Sequence, residues 1–240
     1  MADIYIFKRI EKKYRLTDDK KARLMSLIAE RLIPDEHGVS TICNLYLDTP
    51  SFLLIRNSID AVSYKEKLRL RSYGVPKGDS KVFFEIKKKL CGVVYKRRAS
   101  MTRDEALDYI KNGVKPIEGQ IMDELHYTME YYGRPFPRTA LFYEREAYTV
   151  KDEAGLRITF DTGVRYRTDE LEDPKNSYGK KIIPDDMTIM EIKTGGAMPL
   201  WLSHILDECE IFPSKFSKYG TAYHDMLKSK VNDKGVLNHV

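Results

Sequence analysis

The sequence predicts an α+β domain that consists mainly of antiparallel strands. Eight segments alternate polar and apolar residues with a period of two, which is typical of strands whose two faces differ. They are Tyr5–Leu16, Thr41–Asp48, Ser63–Tyr73, Val82–Lys89, Val93–Ser100, Thr139–Val150, Leu156–Thr162 and Met187–Thr194. Many are separated only by short polar or turn-forming stretches, and this favours antiparallel pairing because a parallel crossover needs a dozen or more residues. With 240 residues, of which 42% are hydrophobic, the chain can form one core. We therefore predict a single domain over residues 1–240.

Helix signals lie between these segments. Thr17 and Asp18 can cap a helix that runs through Leu32, and Thr102 with Glu105 has the spacing of a capping box. The pattern thus predicts helices over 17–32, 102–111, 118–132 (ended by Gly133), 199–211 (with Pro199 in its first turn) and 217–228. The polar segment Asp169–Pro184 is predicted to be a loop, and residues from about 229 to 240 a frayed tail.

Composition limits the classes of protein to which this chain can belong. The chain has 41 Lys and Arg residues against 36 Asp and Glu residues, a formal charge of +5, which favours anionic partners only mildly. Cys43, Cys91 and Cys209 are scattered and have no CxxC spacing, so they are interpreted as reduced thiols. No stretch approaches the run of about 20 apolar residues that a membrane span requires. We expect a cytoplasmic protein with no membrane segment.

Cationic side chains recur on one face of six predicted strands. Each group shares a face because its members are two residues apart: Arg9, Glu11 and Lys13; Lys65, Lys67, Arg69 and Arg71; Glu85, Lys87 and Lys89; Tyr143 and Arg145; Arg157, Thr159 and Asp161; Glu191 and Lys193. In any one strand, the pattern is typical of an ordinary solvated sheet face. Six repeats favour a barrel whose cations converge in the interior, where a polyanion or interleaved carboxylates would offset their repulsion.

These residue types suit phosphate and a divalent cation. Arginine forms bidentate hydrogen bonds with phosphate oxygens, and lysine supplies a mobile point charge. Carboxylates on the same faces are candidate oxygen ligands for Mg²⁺ or Mn²⁺, which often bridge to substrate phosphates. Other chemistries lack their motifs, since the chain has no GxxxxGK[ST], GxSxG or HExxH sequence. A nucleic-acid groove is disfavoured because aromatic residues are not interleaved with the charges.

The residues from about Phe7 to Leu227 resemble the polyphosphate-polymerase (VTC) domain of the CYTH-like triphosphate tunnel metalloenzyme superfamily. The resemblance depends on motifs in a fixed order: R-x-E-x-K-Y from Arg9, LRLRSYG from Leu68, FFEIKKK from Phe83, VYKRR from Val94, FYEREAY from Phe142, LRITFDT from Leu156, MEIK from Met190, MPLWL from Met198 and KFSKYG from Lys215. It implies a closed, eight-stranded antiparallel tunnel with helices packed outside.

The resemblance also implies a set of site residues. The catalytic set is Lys13, Arg69, Arg71, Lys87, Arg145, Arg157 and Lys193. Further substrate-binding residues are Arg9, Lys96, Arg98, Tyr143, Lys215, Ser217 and Lys218. Glu191 is the expected ligand of Mn²⁺ or Mg²⁺, with Glu11 and Glu85 as additional candidates.

The expected activity is transfer of the γ-phosphate of ATP to a growing polyphosphate chain, with ATP and polyphosphate or pyrophosphate as partners and no nucleic acid. Hydrolytic and cyclase members of the superfamily carry E-x-E-x-K in the first strand, whereas this chain has Arg9, Glu11 and Lys13. An arginine there removes a metal-binding oxygen and adds a phosphate ligand. Two alternatives stay open: a triphosphatase or tripolyphosphatase on the same tunnel, and a non-catalytic polyphosphate-binding module.

Overall fold

The computed structural model describes residues 10–60, 63–91, 93–173 and 177–236. The strands are β1 Ile10–Thr17, β2 Leu32–Asp48, β3 Tyr64–Tyr73, β4 Lys81–Leu90, β5 Val93–Thr102, β6 Phe136–Val150, β7 Arg157–Arg167, β8 Lys180–Lys181 and β9 Met187–Thr194. The helices are α1 Asp18–Ile28, α2 Leu53–Ile59, α3 Arg103–Asn112, α4 Gln120–Tyr131, α5 Leu200–Glu208 and α6 Lys218–Val236, and a short 3₁₀ turn covers Ala29–Arg31. The predicted α+β class with a mainly antiparallel sheet is confirmed.

All the strands form one antiparallel sheet, in the order β1-β9-β7-β6-β2-β3-β4-β5, with β8 paired to β7. The sheet curls strongly. Strands β1 and β4 lie six places apart in this order, yet Lys87 Nζ on β4 is 3.2 Å from Glu11 Oε2 on β1. We call the concave face that carries these two side chains the inner face.

The predicted closure of the barrel is not confirmed. Within the described residues, the two end strands β1 and β5 do not pair with each other. The physical reason lies at the free edge of β1, where Tyr14 bridges Pro213 and the amide of Ser214 donates to the carbonyl of Lys13 at 2.7 Å. Because this later segment occupies the backbone edge of β1, side chains rather than backbone hydrogen bonds span the gap between the ends of the sheet.

Four helices cover the apolar outer face of the sheet. Helices α1 and α5 pack on one half through a cluster that includes Leu24, Leu202 and Phe160. Helices α3 and α4 pack on the other half, where Tyr109 and Leu125 contact the buried side chains of β3 to β5. Burying this face removes a large apolar surface from water, so the charged face is left to turn inwards.

The other two helices lie elsewhere, which corrects the prediction that all of the helices pack outside. Phe216 and Tyr219, at the start of α6, join a cluster with Tyr46 and Tyr143 of the inner face, and α2 contributes Ile55 to the same cluster. Tyr219 stacks on Tyr46 with ring centroids 4.2 Å apart. Helix α6 therefore brings its N-terminal residues onto the inner face.

Asp48, at the end of β2, anchors both of these helices. Its carboxylate accepts hydrogen bonds from the amides of Leu54 and Ile55 at 2.9 and 3.0 Å, and from the hydroxyl of Tyr219 at 3.1 Å. The side chain is fully buried, so these hydrogen bonds replace its lost hydration. Helix α2 was not predicted, because its seven residues are too few to show a helical period.

Several local predictions are confirmed. The hydroxyl of Thr17 accepts from the amide of Lys20 at the start of α1, and Thr102 with Glu105 forms a capping box at α3. In the described part of the segment predicted as a loop, the one strand is the two-residue β8. The predicted frayed tail from about residue 229 is wrong as far as Val236, because α6 continues through these residues beyond its predicted end at Lys228. The three cysteines are free thiols. None of the helices in the described ranges has both the length and the apolar character needed to cross a bilayer.

Candidate functional site

The inner face gathers charged side chains from β1, β3, β4, β5, β6, β7, β9 and the start of α6. Among the described residues, its cations outnumber its carboxylates. The cations are Lys13, Lys67, Arg69, Arg71, Lys87, Lys96, Arg145, Lys193 and Lys218, and the carboxylates are Glu11, Glu85, Asp161 and Glu191. An excess of cations in a partly dehydrated site attracts anions strongly.

Glu85 organises the part of the site formed by β3, β4 and β5. Its Oε2 accepts two hydrogen bonds from Arg69, at 2.9 Å from Nε and 2.7 Å from Nη2, and its Oε1 lies 2.6 Å from Lys96 Nζ. Burial alone would raise the pKa of Glu85, but the charges of Arg69, Arg71 and Lys96 outweigh it and lower the pKa to about 2. Both oxygens of this carboxylate are thus engaged by cations.

Asp161, on β7, likewise pairs with two cations in another part of the inner face. Arg145 donates to both of its oxygens, at 2.6 and 2.8 Å, and Lys218 Nζ donates to Oδ2 at 2.5 Å. The carboxylate is fully buried. Burial would raise its pKa, but Lys218 and Arg145 hold the pKa below its usual value. Asp161 therefore fixes the position of two cations that come from β6 and α6.

A third group joins β1 and β9. Glu191 Oε1 lies 2.7 Å from Lys193 Nζ, and Glu11 contacts both Lys13, at 3.5 Å, and Lys87, at 3.2 Å. Burial and the charge of Glu191 oppose the ionisation of Glu11, but Lys87, Lys13 and Lys193 outweigh them and lower its pKa. Burial likewise opposes the ionisation of Glu191, whose pKa nevertheless lies well below the usual range because Lys193 and Lys13 are close.

Neutral hydrogen-bonding groups also line the inner face. Arg71 donates to Asn44 Oδ1 at 3.0 Å and to the hydroxyl of Tyr143 at 3.4 Å. Arg69 donates to the hydroxyl of Tyr46 at 3.3 Å. Burial would raise the pKa of Tyr46, but the charges of Arg69, Lys67 and Arg71 lower it to about 8. Ser217 Oγ accepts from Lys67 Nζ at 3.0 Å, and the carbonyl of Phe216 accepts from Lys13 at 3.2 Å.

The structure brings most of the predicted site residues to this face but leaves three at its periphery. Arg157 is about half exposed and donates to Asp35 at 2.5 Å. Arg98 is exposed, with its guanidinium 4.7 Å from the centre of the Phe83 ring, and Lys215 is exposed as well. Arg9 lies outside the described residues.

Asn44, Tyr46, Lys67 and Asp161 belong to the site although they were not selected as site residues. Lys67 and Asp161 share strand faces with predicted residues, so strand alternation already contained this signal. Asn44 and Tyr46 alternate in the same way on β2, but both side chains are neutral, so a search for inward cations did not select them.

Comparison with known families agrees with this geometry. The family model of the VTC domain matches residues 8–227. The chain belongs to the VTC domain family. The resemblance inferred from the ordered motifs is therefore confirmed, since all of those motifs, from Arg9 to Gly220, fall within the matched range. A comparison with curated proteins gave no significant match.

Solved structures share the fold of this VTC domain at low sequence identity. A candidate adenylate cyclase from Bacillus halodurans is 16% identical, with 88% of this chain and 95% of that chain covered and a TM-score of 0.55. A candidate adenylyl cyclase from Hippeastrum, described as having a dominant triphosphatase activity, is 17% identical, with 88% and 93% covered and a TM-score of 0.50. At these identities the likeness shows a common fold.

Two carboxylates of the VTC domain are candidate ligands for a divalent cation. Within the parts of the chain that the structure describes, no three His, Cys, Asp or Glu side chains are grouped as metal ligands. Glu11 and Glu191 are close enough to influence each other's ionisation, and they lie diagonally across the β1–β9 pair. Magnesium-type ions commonly use one or two carboxylates together with substrate phosphates. Glu191 and Glu11 are therefore the residues suited to hold such an ion.

The binding of tripolyphosphate to this VTC domain is expected to weaken as the pH rises through about 8. Burial, reinforced by nearby cations, lowers the pKa of Lys67 to about 8, and burial does the same for Lys96 against the opposing charge of Glu85. Both lysines are charged below this pH and lose their charge above it. A bound anion stabilises the charged form, so binding at pH 8.5 should be accompanied by proton uptake. Calorimetry in buffers of different ionisation enthalpy measures this uptake.

Tripolyphosphate itself exchanges protons in the same pH range, so the measurement needs a comparison that isolates the contribution of Lys67. The variant Lys67→Met provides this comparison. We expect the variant to take up fewer protons on binding than the parent does. Equal proton uptake by the two proteins at pH 8.5 would contradict the assignment of Lys67.

Proposed function

We propose that this VTC domain is an ATP-dependent polyphosphate polymerase whose reaction takes place on the inner face. The proposal depends on one observation: cations from six strands and one helix converge on a concave surface whose few carboxylates are each paired to a cation. A string of phosphates is the kind of ligand that matches such a surface along its length. Membership of the VTC family supports the same ligand class.

In the proposed reaction, an oxygen of the terminal phosphate of the acceptor chain attacks the γ-phosphorus of ATP in line. The new bond to phosphorus forms as the bond to the β–γ bridging oxygen breaks, and ADP leaves with that oxygen. Such reactions depend on position and charge neutralisation more than on covalent help from the enzyme. Arg71, Arg69 and Lys96 would hold one anion, and Lys218, Arg145 and Lys193 the other.

The ionisation state of the carboxylates limits their use as a base in a reaction with water. Water needs a general base, and an effective base has a pKa near the working pH. The pKa values of Glu11, Glu85, Asp161 and Glu191 are instead all lowered. A terminal phosphate is already an anion and needs no such base. These four carboxylates are therefore poorly suited to act as the general base of triphosphate hydrolysis.

A divalent cation, Mn²⁺ or Mg²⁺, is part of the proposal. Glu191 and Glu11 would hold it, and when bound it would neutralise charge on the phosphates. The two carboxylates themselves keep Lys193, Lys13 and Lys87 in place, as their contacts of 2.7 to 3.5 Å indicate.

The decisive experiment is to incubate the pure protein with ATP and Mn²⁺ or Mg²⁺ and to resolve the products on a gel that is stained for polyphosphate. A ladder of long chains, with one ADP formed per phosphate added, is the expected result. Release of free phosphate without polymer would instead identify a triphosphatase. Tight binding of polyphosphate without turnover at either metal would identify a binding module.

Glu191→Gln should lose both turnover and metal dependence. The amide has the same shape as the carboxylate but carries no charge, so we expect synthesis to fall by about 10²-fold or more, comparable to the loss of one preorganised electrostatic contact in other active sites. Polymer formation is measured against metal concentration. Glu208→Gln is the matched control, because Glu208 lies on the exposed side of α5 and forms a surface ion pair of 3.4 Å with Arg23. Parent-like activity of Glu191→Gln would mean that the ion is held elsewhere.

A further inference from the structure

Strand β2 contains no lysine or arginine, yet its side chains contact residues that form the inner face. Asn44 and Tyr46 accept hydrogen bonds from two arginines of β3, at 3.0 and 3.3 Å. Asp48, the next residue in this alternation, accepts instead from the hydroxyl of Tyr219 on α6, at 3.1 Å. Strand β2 therefore holds side chains that belong to other elements of the site.

The carboxylate of Asp48 is itself fixed by the backbone. It accepts from the amides of Thr49, Leu54 and Ile55 at 2.8, 2.9 and 3.0 Å, and it is fully buried. Backbone amides at the start of a helix have fixed directions, so these three hydrogen bonds hold both carboxylate oxygens in place. Asp48 thus presents a rigid acceptor to the hydroxyl of Tyr219.

Tyr219 is fixed at both ends of its side chain. Its ring stacks on Tyr46 with the centroids 4.2 Å apart and the planes at 17°, and its hydroxyl donates to Asp48. The whole residue is 2% exposed. Because Tyr219 is the second residue of α6, these contacts fix the orientation of the first turn of that helix about its axis.

The three residues that precede Tyr219 all contact charged groups of the inner face. They are Phe216, whose carbonyl accepts from Lys13 at 3.2 Å; Ser217, whose hydroxyl accepts from Lys67 at 3.0 Å; and Lys218, whose Nζ donates to Asp161 at 2.5 Å. A bound phosphate would compete for these lysines, so these contacts can rearrange when a ligand binds. The hydrogen bond between Tyr219 and Asp48 involves no such cation and can persist.

We propose that Tyr219, held by Asp48, is a positioning residue that keeps Lys218 directed at phosphates bound on the inner face. Adjacent residues of a helix differ in direction by about 100°, so a rotation of the first turn that displaced Tyr219 would also move Lys218. The anchor therefore acts through the backbone of α6. This proposal rests on the proposed function in that it takes a chain of phosphates as the ligand.

Tyr219→Phe tests the proposal, because it removes the hydroxyl and keeps the ring that stacks on Tyr46. Calorimetry with the full chain measures its affinity for inorganic tripolyphosphate. We expect the affinity to fall about fivefold, which corresponds to the net contribution of one hydrogen bond. A purely structural role would lower Tm and leave the affinity of the folded protein unchanged.

Tyr166→Phe is the matched control. Tyr166 is also buried, and its hydroxyl donates to Asp225 of α6 at 2.7 Å, about two turns along the helix from Lys218. Both variants thus lose a hydrogen bond that holds α6, and both should lower Tm by about 2–4 °C. Tyr166→Phe should nevertheless bind tripolyphosphate within about twofold of the parent.

A double-mutant cycle with Lys218→Met identifies the residue through which Tyr219 acts. Without Lys218, the substitution Tyr219→Phe should change the affinity by less than about twofold. A fivefold loss that persists in the Lys218→Met background would overturn the proposal. So would parent-like affinity of Tyr219→Phe, or an equal loss in Tyr166→Phe, and this comparison of the two tyrosine variants holds even if Lys218→Met does not fold.

The outcomes also separate this proposal from the proposed function. Binding of tripolyphosphate requires no turnover, so the positioning role can be supported in a protein that makes no polymer. If the parent makes polymer while Tyr219→Phe binds tripolyphosphate as tightly as the parent does, the positioning role is rejected and the polymerase activity stands.

Discussion

Arg71→Ala should reduce polymer synthesis by about 10²- to 10³-fold while leaving the thermal stability of the protein nearly unchanged. The guanidinium of Arg71 donates to two neutral acceptors, Asn44 Oδ1 and the hydroxyl of Tyr143, so its removal deprives no carboxylate of a hydrogen-bonded cation. Its positive charge is therefore available to a ligand. Loss of one preorganised donor from a site that binds transferring phosphoryl groups typically costs this much in rate. The rate of chain growth and the melting temperature are the two measurements.

Arg97→Ala is the control for this experiment. Arg97 lies on β5 but points to the outer face, where it contacts Glu124 of α4 at 3.0 Å. The substitution Arg97→Ala removes an arginine from a strand of the same sheet without changing the inner face. Because losing a surface ion pair usually has a small effect, the variant's rate of synthesis should stay within about twofold of the parent's. Full activity of Arg71→Ala, or an equal loss in both variants, would contradict the place of Arg71 in the site.

The same substitution at Arg69 is expected to behave differently, which the sequence does not reveal. From strand alternation alone, Arg69, Arg71 and Lys193 are equivalent inward cations, and removing any of them should relieve repulsion and keep the fold intact. In the structure, Arg69 makes two hydrogen bonds to Glu85, which is only 1% exposed. Without Arg69 this carboxylate would keep Lys96 alone, so Arg69→Ala should also destabilise the protein. Arg71 is the cleaner probe.

Features that depend on neighbouring residues in the sequence could be predicted. Alternation along β3 correctly divides Arg69 and Arg71 from Leu68 and Leu70, because adjacent side chains of a strand must point to opposite faces. The caps at Thr17 and Thr102 are local hydrogen bonds and were predicted for the same reason. The VTC family was also accessible from sequence, since its motifs carry their information in their order.

Features that depend on contacts between distant segments could not be predicted in this way. Nothing near Tyr14 indicates that Pro213 bridges it at the free edge of β1, and this contact decides how the ends of the sheet meet. The position of α6 on the inner face depends on the stacking of Tyr219 on Tyr46, two residues that lie far apart in the chain. Likewise, alternation predicts that Asp161 points inwards, but only the fold shows that Arg145 and Lys218 share it.

Asp161→Asn should destabilise the free protein and make its stability unusually sensitive to phosphate ligands. The carboxylate is fully buried between Arg145 and Lys218, and its loss leaves two cations in a site of low polarity without their counter-ion. Breaking a buried ion pair in this way costs about 3–5 kcal/mol. For a chain of this size, that corresponds to a fall in Tm of about 10 °C. Thermal unfolding in the absence of ligand measures this effect.

Tripolyphosphate should then restore more stability to Asp161→Asn than it adds to the parent. The two released cations can bind the anion, so the variant gains affinity for it, and a ligand that binds only the folded state raises Tm by an amount that grows with its affinity. Asp185→Asn is the matched control, because Asp185 is exposed and forms a surface ion pair with Lys181 at 2.6 Å. If the same concentration of tripolyphosphate raised Tm equally in the parent and both variants, Arg145 and Lys218 would not face the bound anion. If tripolyphosphate raised Tm more in Asp161→Asn than in the parent and Asp185→Asn, Arg145 and Lys218 would be identified as residues that contact the phosphates.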